Sequence, residues 1–308
     1  MTTRIYTHPA CLEHDMGAGH PERPARLEAI LAALREPAFA GLDWQEAPRA
    51  GLEQISRVHP RGYVDAVLEA VPKSGRVRLD ADTALSPGSG EAALRAAGAV
   101  CAAVDAVASG AARNAFCAVR PPGHHAEPET AMGFCLFNNV AVGAHQAREV
   151  HGLRRVAVMD FDVHHGNGTQ AMFEADSELF YASTHQMPLY PGTGAASETG
   201  RGNICNAPLP PEAGSAAFRA AMSERVLPAI DAFGPEMLLI SAGFDAHRAD
   251  PLANLRLEEA DYAWATDELL ALAARHCGGR VVSTLEGGYD LAALAASAAA
   301  HVRRLMAA

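Results

Sequence analysis

Stretches with apolar and small residues at helical spacing alternate along the chain with short, continuous apolar runs. The clearest helical stretch spans residues 91–109, and its many alanines predict close packing against neighbouring elements. A GxGxxA-like pattern at 88–93 follows a proline rather than a strand, so we interpret it as the start of this helix. Further helices are predicted over residues 24–34, 138–150, 216–233, 257–274 and 291–306.

The apolar runs are only a few residues long and lack strict alternation of apolar and polar positions. They cover residues 116–119, 156–159, 179–182, 237–240, and 281–282 with its flanks. Strands buried on both faces have this pattern, as in a parallel sheet covered by helices. No shift in composition divides the chain, so we predict one α/β domain over residues 1–308, with a central, mostly parallel sheet flanked by helices.

Polar side chains follow each of the five apolar runs. They lie in the segments 120–125, 160–167, 183–185, 241–247 and 286–290, which contain most of the closely spaced His and Asp residues. In open α/β sheets, ligands bind beyond the carboxyl ends of the strands. We therefore predict that these segments meet in a single site.

Charge and cysteine content narrow the function classes. The 36 acidic and 25 basic side chains give a formal net charge of −11, which argues against a nucleic-acid surface and is compatible with a cationic substrate. None of the six cysteines is spaced as CxxC, and we find no export signal and no apolar segment of membrane-spanning length. These features predict a cytoplasmic protein with reduced thiols and no membrane partner.

The segment Asp160-Phe-Asp162-Val-His164 has the pattern of a metal site. Its two aspartates and its histidine point the same way along an extended strand, so Asp162 and His164 can bind one divalent metal. Asp245, which follows another strand, is the best candidate for a third ligand. Two oxygens and one nitrogen suit zinc, and also Fe(II), Mn(II) or Co(II). A lone Asp-x-His is more often a turn or helix cap, so this spacing does not decide the matter.

Three further groups are candidates for acid–base chemistry and substrate binding. His124 and His125 follow a stiff Pro-Pro-Gly turn, and two glycines precede Tyr289, whose hydroxyl can donate to an oxyanion. Phe134 and Tyr190 can line a narrow apolar channel. Taken singly, each group is equally compatible with surface histidines, a packed tyrosine or ordinary core aromatics.

In their order along the chain, these motifs resemble the zinc-dependent histone deacetylase family, in particular its bacterial class II-like histone deacetylase-like amidohydrolases. The matching segments are 19–27, 120–125, 133–139, 160–168, 191–194, 243–245 and 285–289, which together extend over nearly the whole chain. The resemblance implies an arginase/deacetylase-like three-layer fold with a central, mostly parallel sheet. It also implies a zinc-dependent hydrolase that acts on amide bonds.

The resemblance also implies roles for individual residues at the reaction centre. The zinc ligands are Asp162, His164 and Asp245. The catalytic residues are His124, His125, Tyr289, Asp160 and Asn167. Of these, His125 is the general base and acid, Tyr289 binds the substrate carbonyl, and Asp160 and Asn167 lie behind the two histidines.

Residues around the reaction centre take their expected roles from the same resemblance. Gly133, Phe134, Tyr190 and Leu252 line the substrate channel, with Tyr190 at a position that is often phenylalanine and Leu252 at a gatekeeper position. Arg26 is associated with an acetate-release channel. A structural potassium ion is expected near Asp160, Asp162, His164 and Ser183.

We therefore predict an enzyme that hydrolyses ε-N-acyl-lysine or a related acylated amine with metal-activated water. The main alternative is an acetylpolyamine or small xenobiotic amide hydrolase, although the uncharged Leu252 disfavours polyamines. A non-catalytic acyl-lysine binding module and a bimetallic ureohydrolase are further alternatives, and the second would need extra metal ligands that we do not find. The rim segments 16–20 and 80–89 are expected to influence substrate choice, and a homo-oligomer is compatible with the sequence.

Overall fold

Strands and helices alternate along residues 2–308, the part of the chain that this computed structural model describes. The strands are β1 (Thr3–Thr7), β2 (Asp43–Glu46), β3 (Val77–Arg78), β4 (Ala84–Leu85), β5 (Asn114–Cys117), β6 (Val156–Asp160), β7 (Leu179–Gln186), β8 (Ile204–Leu209), β9 (Met237–Ala242) and β10 (Val281–Leu285). The helices are α1 (Pro24–Leu34), α2 (Leu52–Ile55), α3 (Arg61–Glu69), α4 (Ser89–Ala108), α5 (Asn139–His151), α6 (Asn167–Phe173), α7 (Ser215–Ala221), α8 (Leu227–Phe233), α9 (Glu259–Cys277) and α10 (Leu291–Ala307).

Eight of these strands form one parallel sheet, in the order β2-β1-β5-β10-β9-β6-β7-β8. The strands β5, β6, β9 and β10 are buried along their whole length, which explains why they read as continuous apolar runs. The predicted parallel sheet is therefore confirmed. The remaining strands, β3 and β4, form a small antiparallel pair outside it.

Two groups of helices cover the sheet. The helices α4 and α5 pack against each other, and α10 packs between α1 and α9. The predicted close packing of the alanine-rich helix is confirmed, since a Cβ atom at Gly143 of α5 would lie 2.4 Å from Cγ1 of Val100 in α4. The result is a single three-layer α/β domain, with the sheet as its middle layer.

The predicted helices agree with the structure to within a few residues, with one interruption. A π-helical turn over Met222–Val226 separates α7 from α8 within the predicted helix 216–233. The sequence analysis missed three strands of the sheet, namely β1, β2 and β8. These strands mix polar with apolar residues, and β2 and β8 lie at the edges of the sheet, where β8 tolerates Pro208.

One predicted strand end is wrong. The segment Ser183-Thr-His185 does not follow its strand but belongs to it, because β7 continues to Gln186 and its last residues pair with β8. The apolar run could not predict this extension, because these polar side chains are buried within the sheet. All six cysteines are buried and free of disulfide bonds. No helix within residues 2–308 combines the length and the apolar content that a membrane crossing requires.

Candidate active site

A pocket of about 230 Å³ opens beside the carboxyl ends of the four central strands. Its walls come from loops that are far apart in the sequence. The lining residues are Asp82, Pro122, His124, His125, Gly133, Phe134, His164, Leu189, Tyr190, Leu252, Gly287 and Tyr289. The structure thus brings together the polar segments that follow β5, β6, β9 and β10.

Three buried side chains at this pocket converge on one point. One potential ligand atom from each of Asp162, His164 and Asp245 lies within 4.8 Å of the other two. The Nδ1 atom of His164 is 3.1 Å from Asp162 Oδ1 and 3.1 Å from Asp245 Oδ2. Backbone N–H groups orient the carboxylates, since Gly287 donates to Asp162 over 2.8 Å and Val163 donates to Asp245 over 2.8 Å. The loops after β6, β9 and β10 therefore fix the cluster jointly.

The electrostatics of this cluster call for a cation. Burial and the neighbouring Asp162 raise the pKa of the Asp245 carboxyl. Burial alone would lower the pKa of His164, but the hydrogen bonds to Asp162 and Asp245 raise it to about 10. Buried carboxylates must be paired or ligated, and two oxygens with one nitrogen form a three-ligand set that leaves coordination positions open. These three residues therefore fit a zinc ion, which would take the place of the proton on His164.

His124 is held by a buried carboxylate. Its Nδ1 atom lies 2.9 Å from Oδ2 of Asp160, the last residue of β6. Although burial alone would lower the pKa of His124, the charges of Asp160 and Asp162 hold it well above its usual value. These two carboxylates therefore favour the protonated form of the His124 side chain.

His125 is in the opposite protonation state. Burial and the positive charge of His124 place the pKa of His125 well below its usual value, so its imidazole is neutral. Asn167 donates through Nδ2 to Glu127 Oε1 over 2.8 Å, which turns its Oδ1 atom toward His125 Nδ1 at 2.8 Å. Because Oδ1 can only accept, Nδ1 of His125 carries the proton and Nε2 keeps a free lone pair. Such an imidazole can act as a base.

Tyr289 faces this pair across the pocket. Burial raises the pKa of its hydroxyl well above the usual value, so the hydroxyl is a hydrogen-bond donor. The turn before it contains Gly288 at φ +121°, a conformation that favours glycine. The guanidinium of Arg26 lies behind the turn, 4.8 Å from the Tyr289 ring, and donates to the carbonyls of Glu286 and Gly288. The predicted role of Arg26 in acetate release stays a prediction.

Aromatic side chains form the outer walls. Phe134 packs edge-to-face on Tyr289 with ring centroids 5.9 Å apart, and Tyr190 packs edge-to-face on His125 at 5.2 Å. At Gly133, φ is +55° and a Cβ atom would lie 2.4 Å from Cδ2 of His125. The wall and the imidazole ring therefore pack directly against each other, which only glycine permits. Leu252 adds an uncharged, apolar side chain to the same pocket.

Ser183 lies deeper, next to Asp160 in the register between β6 and β7. Its Oγ atom is 2.8 Å from Nδ1 of His185, whose Nε2 atom is 2.9 Å from the carbonyl oxygen of Gly194. This pair supports the loop that follows Tyr190 instead of lining the pocket. The potassium site stays a prediction.

Sequence reasoning missed residues that support the site from behind. Glu286 Oε2 accepts hydrogen bonds from the backbone N–H groups of Gly123, at 2.6 Å, and His124, at 3.2 Å, and so fixes the turn before the histidine pair. Asp250 accepts from the backbone at Leu252 and Tyr289. Asp250 is close in sequence to Asp245, and Glu286 is close to Tyr289, so both could have been suspected. Their contacts with His124 and Tyr289 join different loops, however, and the sequence does not show such contacts. Asp82, Leu189 and Pro122 complete the lining.

Comparisons with known proteins find relatives that match nearly the whole chain. The sequence model of the histone deacetylase domain matches residues 20–305. Histone deacetylase 14 of Arabidopsis thaliana, described as chloroplastic, is 41% identical over 98% of this chain and 76% of its own length. A histone deacetylase-like amidohydrolase of Pseudomonas aeruginosa is 41% identical over 89% of this chain and 73% of its own. The crystal structure of the HDA15 HD domain superposes with a TM-score of 0.93 at 37% identity, covering 99% of this chain and 89% of that one, which confirms the predicted fold class.

Proposed function

The chain belongs to the histone deacetylase family and is an amide-hydrolysing enzyme, and on this basis we propose that it is a zinc-dependent deacylase of ε-N-acyl-lysine or a related acylated amine. One observation carries the proposal above all others. The buried cluster of Asp162, His164 and Asp245 lies at a pocket that also presents a neutral imidazole and a tyrosine hydroxyl. Residues 1–308 would then act as one catalytic domain.

The zinc ion, held by Asp162, His164 and Asp245, would supply a Lewis acid that polarises the acyl carbonyl and acidifies a water molecule. His125 accepts the proton of the attacking water at Nε2, since Asn167 holds the other ring nitrogen in its protonated form. The same nitrogen then returns a proton to the departing amine. Without that proton the amine would have to leave as an anion, so the acid step makes cleavage of the C–N bond feasible.

Other residues stabilise the charge that develops on the substrate. The hydroxyl of Tyr289 donates to the carbonyl oxygen as it gains negative charge. The positive charge on His124, maintained by Asp160, favours the same anionic state. Phe134 and Tyr190 exclude water from the acyl-bearing stem, and the apolar wall at Leu252 favours an uncharged alkyl chain.

The alternatives are less well supported. A bimetallic ureohydrolase needs a second cluster of ligands, and the structure of residues 2–308 contains one such cluster. A pure binding module would have no use for a neutral base beside the metal ligands. An acetylpolyamine hydrolase uses the same chemistry, so kcat/KM for an acetyl-lysine peptide should be compared with that for N-acetylputrescine. We expect the peptide to be the better substrate, because Leu252 offers no charge to a distal amine.

We expect acetate release from an acetyl-lysine peptide to require zinc. Protein stripped with a chelator should lose at least ~10³-fold of its activity, since Lewis-acid stabilisation is worth several kcal/mol. Adding back zinc should restore turnover. Equal activity of the stripped and zinc-loaded samples would contradict the proposal, and parallel additions of Fe(II) and Co(II) would show which metals the site accepts.

Replacing Tyr289 with phenylalanine should lower kcat about 10²-fold, as expected when one oxyanion donor is removed. The ring remains to pack on Phe134 and Arg26, so KM and the melting temperature should change little. Steady-state kinetics with the acetyl-lysine peptide measure both constants. A loss of less than tenfold would count against the assigned role of the hydroxyl.

A further inference from the structure

Asp250 is a buried carboxylate that the mechanism does not use. It is 7% exposed and lies between Asp245 and Leu252 on the loop after β9. One of its oxygens, Oδ1, accepts the backbone N–H of Leu252 over 3.0 Å. The other, Oδ2, accepts the backbone N–H of Tyr289 over 2.7 Å. A single carboxylate therefore joins two loops that come from different strands.

Both of its partners carry side chains that line the pocket. Tyr289 follows two glycines, and Gly288 has φ +121°, so this turn has unusual backbone freedom. Arg26 restrains the turn through the carbonyls of Glu286 and Gly288, while Asp250 restrains it through the amide of Tyr289. Carbonyl groups of the turn are thus bound by Arg26, and one of its amide groups is bound by Asp250.

From these contacts, and on the basis of the proposed function, we propose that Asp250 is a positioning residue that fixes Tyr289 and Leu252 relative to each other. Its effect on the reaction passes through the Tyr289 hydroxyl, and its effect on the choice between amine substrates passes through Leu252. A displacement of about 1 Å at a reacting group can cost about 10²-fold in rate. The Asp250 carboxylate binds the backbone N–H group of each residue, next to the Cα atom that carries the side chain, so it can prevent such a displacement.

A double-mutant cycle with zinc-loaded protein tests the first half. Asp250→Asn keeps the volume but puts an amide NH2 group against at least one of the three backbone N–H donors, which belong to Leu252, Tyr289 and Asp290. We expect it to lower kcat about tenfold with little change in KM. In a Tyr289→Phe background the same change should cost less than about twofold, because the hydroxyl it positions is already gone. An equal loss in both backgrounds would overturn the proposal.

A change in substrate preference tests the second half of the proposal, which concerns Leu252. Releasing Leu252 should lower kcat/KM for an acetyl-lysine peptide relative to that for N-acetylputrescine by about threefold or more, since an apolar contact the size of one methylene is worth about tenfold or more. An unchanged ratio would remove Leu252 from the proposal. If Asp250→Asn does not fold, Asp250→Glu retains both acceptors at a shifted position and should show a smaller loss with the same dependence on Tyr289.

Asp261→Asn is a matched control. Asp261 is also a buried carboxylate that accepts a backbone N–H, from Glu258 at the start of α9, but it lies outside the pocket. This variant should lower the melting temperature and leave both kcat and the ratio of kcat/KM values for the two substrates unchanged. A loss of kcat in Asp261→Asn as large as that in Asp250→Asn would reduce Asp250 to general stability. Failure of the zinc-loaded wild type to release acetate would instead contradict the proposed function itself.

Discussion

Replacing Asp245 with asparagine is expected to abolish useful turnover, lowering kcat/KM by at least ~10³-fold. The change removes one of two negative charges from the metal cluster but keeps the shape of the side chain. The amide oxygen can still accept the backbone N–H of Val163, so the loop should keep its conformation. On the proposed ligand set, the change removes one carboxylate ligand and with it the affinity for zinc.

In the absence of metal, Asp245→Asn should not lower the melting temperature of the protein. In the metal-free protein, burial and Asp162 oppose ionisation of Asp245, so neutral asparagine should leave the metal-free melting temperature unchanged or higher. Zinc should raise the melting temperature of the wild type, because binding to the folded state alone is stabilising, and should have little effect on the variant. Thermal melts with and without zinc, together with measured zinc content, check both statements. Full zinc occupancy and normal turnover in Asp245→Asn would remove Asp245 from the ligand set.

Replacing His125 with alanine should lower kcat by about 10³-fold, since a positioned acid–base group contributes ~10²–10⁴-fold. The proposed zinc ligands are untouched, so zinc content should match the wild type, and KM should change little. The deleted ring leaves space beside Gly133 and Tyr190. Added imidazole should enter that space and restore part of the activity.

The two histidines can be distinguished by the same experiment. His124→Ala should also lower activity, but added imidazole should not restore it, because the role of His124 depends on its contact with the buried carboxylate of Asp160. A larger kcat loss in His124→Ala, with imidazole rescue, would reverse the assignment of the two residues. Asp245→Asn serves as the negative control, since imidazole cannot replace a metal ligand.

Sequence patterns predicted those parts of the fold in which local and tertiary requirements agree. The strands β6, β9 and β10 are buried on both faces, so their burial is visible as apolar runs. The edge strand β2 is only partly buried, so its side-chain pattern is weak. The edge strand β8 packs on the core, but Asn206 and Pro208 interrupt its apolar residues. The end of β7 was misplaced because its last residues are polar but buried, with Ser183 bound to His185 and Gln186 accepting the backbone N–H of Asn254.

The candidate site was predictable to the extent that its residues lie in short motifs. Asp162 and His164 are two residues apart, and His124 and His125 are adjacent, so local spacing indicated their chemistry. The supporting contacts join distant segments. Glu286 binds the backbone at His124 across 162 positions, and no pattern within either segment encodes that pairing. Such contacts depend on the order of strands in the sheet, which only the folded structure supplies.

The strand order also has a consequence for synthesis of the protein on the ribosome. The strand β10 is the only link between two halves of the sheet, β2-β1-β5 and β9-β6-β7-β8. More than 160 residues separate β5 from β10, which corresponds to roughly 10–30 s of translation at about 5–20 residues per second. During that interval the unpaired edge of β5, and later that of β9, can pair with strands of other chains, which promotes aggregation.

The two halves also divide the chemistry between them. The histidine pair follows β5 in one half, while the three candidate zinc ligands follow β6 and β9 in the other. Insertion of β10 therefore completes the sheet and brings the histidine pair and the candidate zinc ligands together in the same event. A chain in which residues 281–285 have not yet joined the sheet keeps these two groups in separate halves, so we expect it to lack activity.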